Sequence, residues 1–600
     1  MAEYEIHEHD VLVIGAGGAG LRAAIESAAQ GVSVGLVCKS LLGKAHTVMA
    51  EGGVAAALSN TDSRDNWQIH FRDTMRGGKM LNNWRMAQLH AQEAPVRVKE
   101  LEEWGALFDR TDDGRILQRN FGGHRFPRLA HTADRTGLEI IRTLQNHGIH
   151  QGIDVYMECT VVDLLMDGGK VSGAFGYWRE TGKFVIFRAK AIVLATGGLG
   201  KAYTVTSNSW EYTGDGHALA YRAGAELIDM EFVQFHPTGM IWPLSVRGTL
   251  VTEGVRGEGG LLLNNKGERF MFDYIPETFA PETADTPEEA KRWLGGDREA
   301  RRPPELLTRD VVARAIRSEV RAGRGTPHGG AYLDISNARD AEFIKRKLPS
   351  MYHQFKQLAD VDITKQAMEV GPTCHYAMGG VRVDAETCES TVQGLFAAGE
   401  VAGGMHGANR LGGNSLGDLL VFGARAGKHA AEYAKKLSGG AKVHDDQVAE
   451  FAKIALAPFE DKGTENPYGV MQDLQVSMEN HVGIVRNKAE MEEGLKKLVD
   501  LNKRVPKVKA EGNIQYNPGW HYALDLRNLM VVSEAIAISA LHREESRGGH
   551  SREDFPESSP ELEKVNTVLR DKGGKMQHEH VVRPEMPDEL KQLMTLPEGS

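Results

Sequence analysis

Arginine and histidine side chains recur in five short segments, four of which are rich in glycine or contain a proline. Guanidinium and imidazole groups bind carboxylates, and arginine often does so through two parallel hydrogen bonds. One such residue alone is better explained as a surface charge or a structural histidine, but functional residues concentrate in loops that a rigid scaffold carries. Together the segments predict a site that binds and transforms a small dicarboxylate. The candidates are His236 in 231–239, Thr252, Glu253 and Arg256 in 251–260, Arg309 in 307–310, His375 in 371–380 and Arg410 in 405–415.

A glycine fingerprint near the start of the chain predicts the element that holds a cofactor beside these residues. Gly15, Gly17 and Gly20 follow an apolar run at 10–14, a predicted buried strand, and precede a small-residue stretch at 21–29, a predicted helix. In such units the first glycine makes the tight turn, the second lets the backbone approach a pyrophosphate, and the third lets helix and strand pack closely. The helix N-terminus offers N–H groups to the phosphates. The segment therefore predicts a dinucleotide site.

The residues after the second predicted strand, 32–37, depart from the usual pattern. An acidic residue for the ribose hydroxyls is normally found there, but this chain has Cys38, Lys39 and Ser40. The missing acid argues against an ordinary NAD site, although Lys39 or Ser40 could still reach a ribose or a phosphate. His46 follows in a loop of small residues at 44–53, which suggests that the dinucleotide is tied covalently to the protein.

Length and composition describe a globular protein of several domains. Six hundred residues predict two to four domains. The net charge of −11 provides no basic footprint for nucleic acid. The four cysteines show no CxxC pair and no metal-ligand spacing. This usage fits a reducing compartment and gives no sign of a disulfide framework, a metal site or iron–sulfur ligation within the chain.

Neither a signal peptide nor a membrane span is predicted. The sequence starts with a polar, acidic stretch, and no apolar run approaches the ~18 residues that span a bilayer. Any attachment to a membrane is therefore expected through another subunit.

Units of a strand followed by glycines recur near residues 15, 195 and 395. They predict an α/β fold with a discontinuous Rossmann-like cofactor domain, an inserted α+β capping domain and a C-terminal helical domain, the last from helical spacing at 448–501 and 526–541. The charged insert at 277–304 is expected on the surface. The predicted boundaries are 1–239 for the first part of the cofactor domain, 240–355 for the capping (substrate) domain, 356–435 for the second part of the cofactor domain, 436–545 for the helical domain and 546–600 for a C-terminal extended segment.

The chain resembles the flavoprotein subunit of succinate dehydrogenase and fumarate reductase. The likeness extends from about residue 10 to about residue 556. It rests on many motifs in the same order, which makes it highly specific. These are GAGGAGLRAA at 15–24, His46-Thr47 before AEGG, ATGG at 195–198, TGDG at 213–216, EFVQFHPTG at 231–239, TEGVRGEGG at 252–260, TRD at 308–310, HYAMGG at 375–380, HGANRLGGNSLGDLLVFG at 406–423 and HREESRGGHSREDFP at 542–556.

The resemblance implies that the Rossmann-like domain binds FAD and that His46 carries it through a histidyl bond to the isoalloxazine 8α-methyl group. It implies that His236, Thr252, His375 and Arg410 hold the substrate carboxylates. Arg309 would move the proton, fed by a relay through Glu253 and Arg256. The implied cofactor contacts besides His46 are Gly15, Gly17, Gly18, Gly20, Lys39, Ser40, Thr47, Gly52, Gly53, Asp215, Glu400, Asn414, Ser415 and Leu416.

The implied reaction oxidises succinate to fumarate or runs in reverse. A hydride leaves one carbon for the flavin and a proton leaves its neighbour, so the protein must bind two carboxylates and supply an acid or base. Chemistry alone would favour His236 or Glu253 as the base, because a guanidinium has a pKa above ~12 and ordinarily stays protonated. Arg309 takes the role on the resemblance. For Arg309 to act as the base, Arg256 and the substrate must change the proton affinity of Arg309, and Glu253 must pass protons to solvent.

The resemblance also implies partners. Electrons would pass from FAD to an iron–sulfur subunit, which docks onto membrane-anchor subunits that meet a quinone. A bacterial protein at the cytoplasmic face of the plasma membrane is expected. Three features depart from the best-known members, namely Thr308 where many relatives have proline, the segment 76–83 and the insert before Pro304. They bear on subgroup and partner surface rather than on chemistry, except that the backbone at Thr308 is expected to differ.

Four alternatives remain beside succinate oxidation. The enzyme could act mainly as a fumarate reductase. L-aspartate oxidase resembles this fold but holds FAD without a covalent bond, so His46 argues against it. A soluble fumarate reductase fed by haem is disfavoured because no CxxCH motif is present. A non-catalytic flavin-binding or assembly subunit is disfavoured because it would not need His46, Arg309, His375 and Arg410 together.

Overall fold

A seven-stranded sheet unites the three strand-plus-glycine units of the sequence. The computed structural model describes residues 4–297, 299–460 and 463–595. Leu395–Ala397 and Glu5–Ile14 both pair in parallel with Phe184–Leu194, so the carboxyl ends of these strands meet at one edge. This confirms the discontinuous Rossmann-like domain. The remaining sheet order is Asp154–Tyr156, Val34–Val37, Glu5–Ile14, Phe184–Leu194, Lys170–Trp178 and Cys159–Asp167.

Both faces of this sheet are covered, as expected for parallel strands that read as continuous apolar runs. In the first strand, Val11 and Val13 belong to one hydrophobic core, whereas Leu12 and Ile14 belong to another. The predicted helix at 21–29 begins earlier, at Gly18. The core on the side of Val11 is built with the helices Gly18–Ala29, Trp84–Glu103, Thr136–Ile149 and Asn414–Lys436.

The opposite core includes the predicted helical domain, which is confirmed. Leu526, Leu529 and Val532 of its longest helix are fully buried in the same core as Leu12. Helix Asp215–Arg222 packs there as well, through Leu219. The helices of this domain are Asp445–Leu456, Pro467–His481, Lys488–Arg504 and Pro518–His542.

The α+β cap has its own antiparallel sheet and core. The sheet order is Val233–Met240, Met368–Ala377, Ala331–Asp334 and Leu261–Leu263. Two of these strands, Val233–Met240 and Met368–Ala377, lie wholly or mostly outside the predicted range 240–355. The domain boundaries near 240 and 355 stay predictions. The cap helices are Gly254–Gly257, Pro287–Leu294, Arg309–Arg321, Ala341–Lys347 and Pro349–Ala359.

The C-terminal segment is more regular than the predicted extended segment. Val565–Asp571 and Met576–Val582 form a ladder, and the first of these strands also pairs with Leu227–Ile228, which pairs in turn with Gly380–Val381. Strands Leu227–Ile228 and Val565–Asp571 are more than 300 residues apart in sequence, so no local pattern could reveal that they pair. Helix Asp588–Thr595 packs through Leu590 against helix Trp67–Gly77. A small sheet joins Val54–Ala55, Leu129–Ala130 and Gln118–Arg119. Among the described residues, none of the helices combines the length and apolar character needed to cross a membrane.

Candidate active site

A cavity of about 510 Å³ extends from the carboxyl edge of the seven-stranded sheet to the cap. Nearly all predicted site residues line it. Gly20, Asn414 and Arg256 do not. The predicted residues that do are Gly15, Gly17, Gly18, Lys39, Ser40, His46, Thr47, Gly52, Gly53, Asp215, Glu400, Ser415, Leu416, His236, Thr252, Glu253, Arg309, His375 and Arg410.

The glycine turn is built for close approach. Gly15 has a φ of +111°, which disfavours any side chain, and a Cβ there would overlap the Ala195 carbonyl oxygen. A Cβ on Gly20 would overlap the carbonyl oxygen of Gly15, so Gly20 serves the packing of helix on strand. A Cβ on Gly17 would lie 3.3 Å from Thr47 Oγ1 and 3.7 Å from the Ala45 Cβ, at the cavity wall, and would overlap no backbone atom. Gly17 therefore leaves the backbone open to a ligand.

Lys39, in the place of the usual acid, lies in a buried charge cluster. Its Nζ donates to Asp215 Oδ2 at 3.0 Å, to Asp525 Oδ1 at 2.5 Å and to Thr213 Oγ1 at 2.9 Å. Burial alone would lower the pKa of Lys39, but the two carboxylates outweigh it and raise the pKa above its usual value. The position thus presents a fixed cation with Asp215 beside it, and neighbouring Ser40 also lines the cavity.

His46 opens a single 3-10 turn, His46–Met49, at the cavity wall. The backbone N–H of Ser209 donates to its Nδ1 at 3.3 Å, and the Tyr212 ring packs edge-on with centroids 4.7 Å apart. Burial, followed by the charge of Lys201, lowers the pKa of His46 to about 4. The imidazole is therefore neutral at pH 7 and keeps a nitrogen lone pair. Adjacent Thr47 accepts from the Gly18 N–H at 3.2 Å, which fixes this turn on the glycine fingerprint.

Two buried carboxyl groups also border the cavity. Burial raises the pKa of Glu400 to about 8, and its Oε1 accepts from the Ala377 N–H at 3.0 Å. Burial and the charge of Asp134 raise the pKa of Glu51 well above its usual range. The Glu400 carboxyl is therefore mostly protonated at neutral pH and can donate a hydrogen bond. The sequence did not single out Glu51, although it lies inside the quoted AEGG motif.

Asn414 directs its side chain away from the cavity. Its Nδ2 donates to Thr74 Oγ1 at 3.0 Å, and its Oδ1 lies 3.0 Å from His70 Nε2. These contacts tie the start of helix Asn414–Lys436 to helix Trp67–Gly77. Neighbouring Ser415 and Leu416 face the cavity instead.

Arg309 and Arg410 come from separate segments and meet at one amide oxygen. Gln234 Oε1 accepts from Arg309 Nη1 at 3.1 Å and from Arg410 Nη2 and Nε at 3.1 and 3.3 Å. Gln234 Nε2 donates to Asn409 Oδ1 and to the Arg410 carbonyl, both at 2.8 Å, which fixes the amide orientation. Burial, and then the charge of Arg309, lowers the pKa of Arg410 to about 10. Two like charges are thus held side by side.

Glu253 connects Arg309 with Arg256. Its Oε2 accepts from Arg309 Nε at 3.0 Å and lies 3.7 Å from Arg256 Nη2, while its Oε1 accepts from the Gly122 N–H at 2.7 Å. Burial opposes ionisation, but Arg309 and Arg256 lower the pKa of Glu253, so the carboxylate is charged. Arg256 is fixed by donation from Nη1 to the Glu305 carbonyl at 2.5 Å. The backbone at Thr308 has a φ of −59°, which a proline would also adopt. The expected difference from relatives at this position stays a prediction.

Two neutral histidines face the same end of the cavity. The His236 and His375 rings lie 5.0 Å apart, centroid to centroid. Burial lowers the pKa of each well below its usual value, aided by Arg309 for His236 and by Arg410 for His375. Ser207 Oγ lies 2.8 Å from His375 Nδ1, and Thr252 is buried nearby on the cavity wall. The arrangement offers several hydrogen-bond donors to anionic oxygens.

Tyr376, which also lines the cavity, packs against Arg410. The guanidinium carbon lies 4.1 Å from the centre of the Tyr376 ring, within range of a cation–π interaction. The Tyr376 hydroxyl lies 3.1 Å from His406 Nε2 and 3.4 Å from Asp418 Oδ2. Gln234 and Tyr376 were both missed from the sequence. The available signal was their place inside the quoted EFVQFHPTG and HYAMGG motifs.

Comparison with known proteins identifies the class of this fold and site. The family described as FAD binding domain matches residues 10–416, and the family described as fumarate reductase flavoprotein C-term matches residues 471–592. The protein is an FAD-dependent oxidoreductase.

Full-length relatives define the family. A Methanothermobacter marburgensis protein named as a subunit of fumarate reductase (CoM/CoB) is 44% identical over 93% of this chain and 96% of its own length. The structure of Mycobacterium smegmatis Sdh1 is 57% identical, covers 97% of this chain and 95% of its own, and has a TM-score of 0.85. A variant of the E. coli quinol fumarate reductase FrdA is 35% identical, covers 97% and 98%, and has a TM-score of 0.89. The chain belongs to the succinate dehydrogenase and fumarate reductase flavoprotein subunits.

Proposed function

We propose that the chain interconverts succinate and fumarate as the catalytic subunit of a succinate:quinone oxidoreductase. The observation that carries the proposal is the convergence of Arg309, Arg410 and the two neutral histidines at one end of the cavity whose other end is the dinucleotide turn. A dicarboxylate bound among these groups would lie beside the cofactor in the same enclosed space.

The substrate carboxylates are assigned to Arg410, His236, His375 and Thr252. Arg410 is held by Gln234 and by Ser415, whose Oγ accepts from Nη1 at 2.5 Å. Its fixed guanidinium suits bidentate binding of a carboxylate. The neutral histidines add N–H donors without adding charge. When bound, FAD supplies the hydride acceptor.

Arg309 is assigned the proton transfer, with Glu253 and Arg256 behind it. The ionised Glu253 contacts Arg309 at 3.0 Å and can take up its proton. Gln234 also holds Arg410 beside Arg309, since its Oε1 accepts from both guanidinium groups at 3.1 Å.

We also infer a covalent bond between FAD and His46. The support is its neutral imidazole, which can act as a nucleophile, and its place on the cavity wall. Fluorescence of the protein band on a denaturing gel tests the bond. A dark band with free FAD in the supernatant would reopen the L-aspartate oxidase alternative.

The proposed partners are an iron–sulfur subunit and, through it, membrane-anchor subunits and a quinone. The support is that relatives such as the Coxiella burnetii protein, 39% identical over 93% of this chain, are named succinate dehydrogenase flavoprotein subunits. The proposed location is the cytoplasmic face of a bacterial plasma membrane. Copurification of an iron–sulfur protein with the tagged chain from membranes tests this assignment, and recovery of the chain alone from such membranes would contradict it.

Arg309→Lys tests the chemistry. We expect succinate oxidation with an artificial electron acceptor to be abolished while the gel band keeps its flavin fluorescence, because lysine keeps the charge but not the guanidinium contacts. Arg321→Lys, on the same helix but exposed, is the matched control and should keep activity. Substantial turnover by Arg309→Lys would move the proton transfer to His236 or Glu253.

The direction of the reaction is tested separately. Both directions use the same groups, and relatives are named for both. Comparing succinate oxidation with fumarate reduction by a reduced viologen, on the same preparation, assigns the preferred direction. We propose succinate oxidation, because the Mycobacterium smegmatis Sdh1 structure shares 57% identity. A large excess of fumarate reduction would favour the reductase assignment.

A further inference from the structure

A buried ion pair connects the helical domain with the lining of the cofactor cavity. Asp525, on helix Pro518–His542, accepts from Lys39 Nζ at 2.5 Å, although the two residues are 486 positions apart. Lys39 and Asp215 line the cavity, whereas Asp525 lies behind them. The side chains of Lys39 and Asp525 are 10% and 8% exposed, so solvent does little to replace this contact.

Asp525 is part of a polar helix face directed at the cofactor domain. His521, Asp525 and Asn528 are buried and follow helical spacing on this helix. His521 Nδ1 lies 2.7 Å from the Tyr177 hydroxyl, and Asn528 Nδ2 donates to Asp215 Oδ1 at 2.8 Å. Both cavity-lining members of the Lys39–Asp215 pair are therefore held by this one face.

The position of Lys39 gives these contacts a functional meaning. The residue after the second strand of a dinucleotide fold ordinarily meets the ribose, and here that residue is a lysine rather than an acid. A lysine on a flexible stem must be oriented by its partners. Asp525 and Asp215 approach its ammonium from two sides, which leaves the side chain one position rather than many.

We propose that Asp525 is a positioning residue for FAD. Asp525 fixes the side chain of Lys39 and, together with Asn528, couples the binding of FAD to the docking of the helical domain. The proposal rests on FAD being the cofactor and does not depend on the covalent bond or on the substrate. Cofactor binding should then order helix Pro518–His542, and loss of Asp525 should weaken FAD without changing the groups that line the cavity.

The test measures the affinity for FAD in a variant that cannot form the proposed covalent bond. In a His46→Ala background of the full chain, Asp525→Asn keeps the shape of the side chain and removes its charge. We expect the FAD dissociation constant to rise about tenfold or more, as for loss of a hydrogen bond between charged groups. Asp500→Asn, at an exposed acid of the same domain that pairs with Lys503 at the surface, is the control and should leave FAD affinity unchanged. An FAD affinity of Asp525→Asn within about threefold of the parent overturns the proposal.

Two further measurements separate positioning from general destabilisation. Lys39→Met should weaken FAD by itself, and adding Asp525→Asn to it should change the affinity less than twofold, because the partner is already gone. Hydrogen exchange of helix Pro518–His542 should slow on adding FAD to the His46→Ala parent and should not slow in the Asp525→Asn variant. Additive losses in the double variant, or equal FAD-induced protection in both proteins, would show that Asp525 acts through stability alone and would refute the coupling.

Discussion

Gln234 is the residue whose replacement most directly tests how the arginine pair is arranged. Gln234→Glu keeps the shape and the acceptor oxygen but places a charge between Arg309 and Arg410. Gln234→Met keeps the approximate volume and removes the acceptor. The two variants therefore separate the charge at this position from the geometry that it imposes.

The expected effects differ in kind. A carboxylate and a guanidinium about 4 Å apart interact by about 4 kcal/mol at an effective dielectric constant of about 20, which is roughly three pKa units at about 1.4 kcal/mol per unit. Gln234→Glu should therefore return the pKa of Arg410 from about 10 toward its ordinary range, so that Arg410 keeps its proton more strongly. Gln234→Met leaves buried guanidinium donors unpaired at about 1.5–3 kcal/mol each. We expect each variant to lose about 100-fold in kcat/KM for succinate.

The pH dependence distinguishes them. In Gln234→Glu the rising limb of the kcat profile for succinate oxidation should move up by at least about one pH unit, whereas in Gln234→Met it should stay in place. The assay is steady-state succinate oxidation between pH 6 and 9 at equal flavin content, with exposed Gln151→Glu as the control for an added charge. Identical pH profiles in the two variants would refute the electrostatic role. A kcat/KM within threefold of the parent in both would refute the positioning role as well.

The glycine turn and the buried carboxyl make two further predictions. Gly17→Ala should fold but lose FAD, because its Cβ occupies the cavity edge, whereas Gly20→Ala should fail to fold, because its Cβ overlaps Gly15. Circular dichroism and flavin absorbance check this, and equal folding defects would contradict it. Glu400, with a folded pKa of about 8 against an unfolded value of 4.5, retains a proton that the unfolded chain releases, so stability falls as pH rises between these values. Glu400→Gln should remove that slope. As the pH rises from 6 to 8.5, its free energy of unfolding should therefore increase by about 2 to 3 kcal/mol relative to that of the parent, measured by denaturant unfolding of the apoprotein. Parallel curves for the two proteins would show that Glu400 is not protonated at neutral pH.

Most of the site residues predicted from the sequence line the cavity. Those predicted from the residues themselves have a chemistry that can be recognised without the fold, whereas Asp215, Glu400, Ser415 and Leu416 were implied only by the family resemblance. A glycine turn after an apolar strand, and arginine and histidine in glycine-rich loops, each point to a ligand type without knowledge of the fold. Gln234 could not be predicted in this way. A neutral amide gains its role only from Arg309 and Arg410, which lie 75 and 176 positions away in sequence. Lys39 was recognised as unusual, but its partner Asp525 is brought near only when the helical domain packs on the sheet.

The charge balance of the arginine group bears on substrate selection. Arg256, Arg309 and Arg410 carry three positive charges against the one carboxylate of Glu253, and the two histidines are neutral. The excess of two charges is buried, and burial together with mutual repulsion lowers the pKa of both Arg256 and Arg410. A dicarboxylate cancels this excess, whereas a monocarboxylate leaves one buried cation without a counter-charge, which is costly in a low-dielectric site. Selection for a dianion therefore arises from the electrostatics of the whole group.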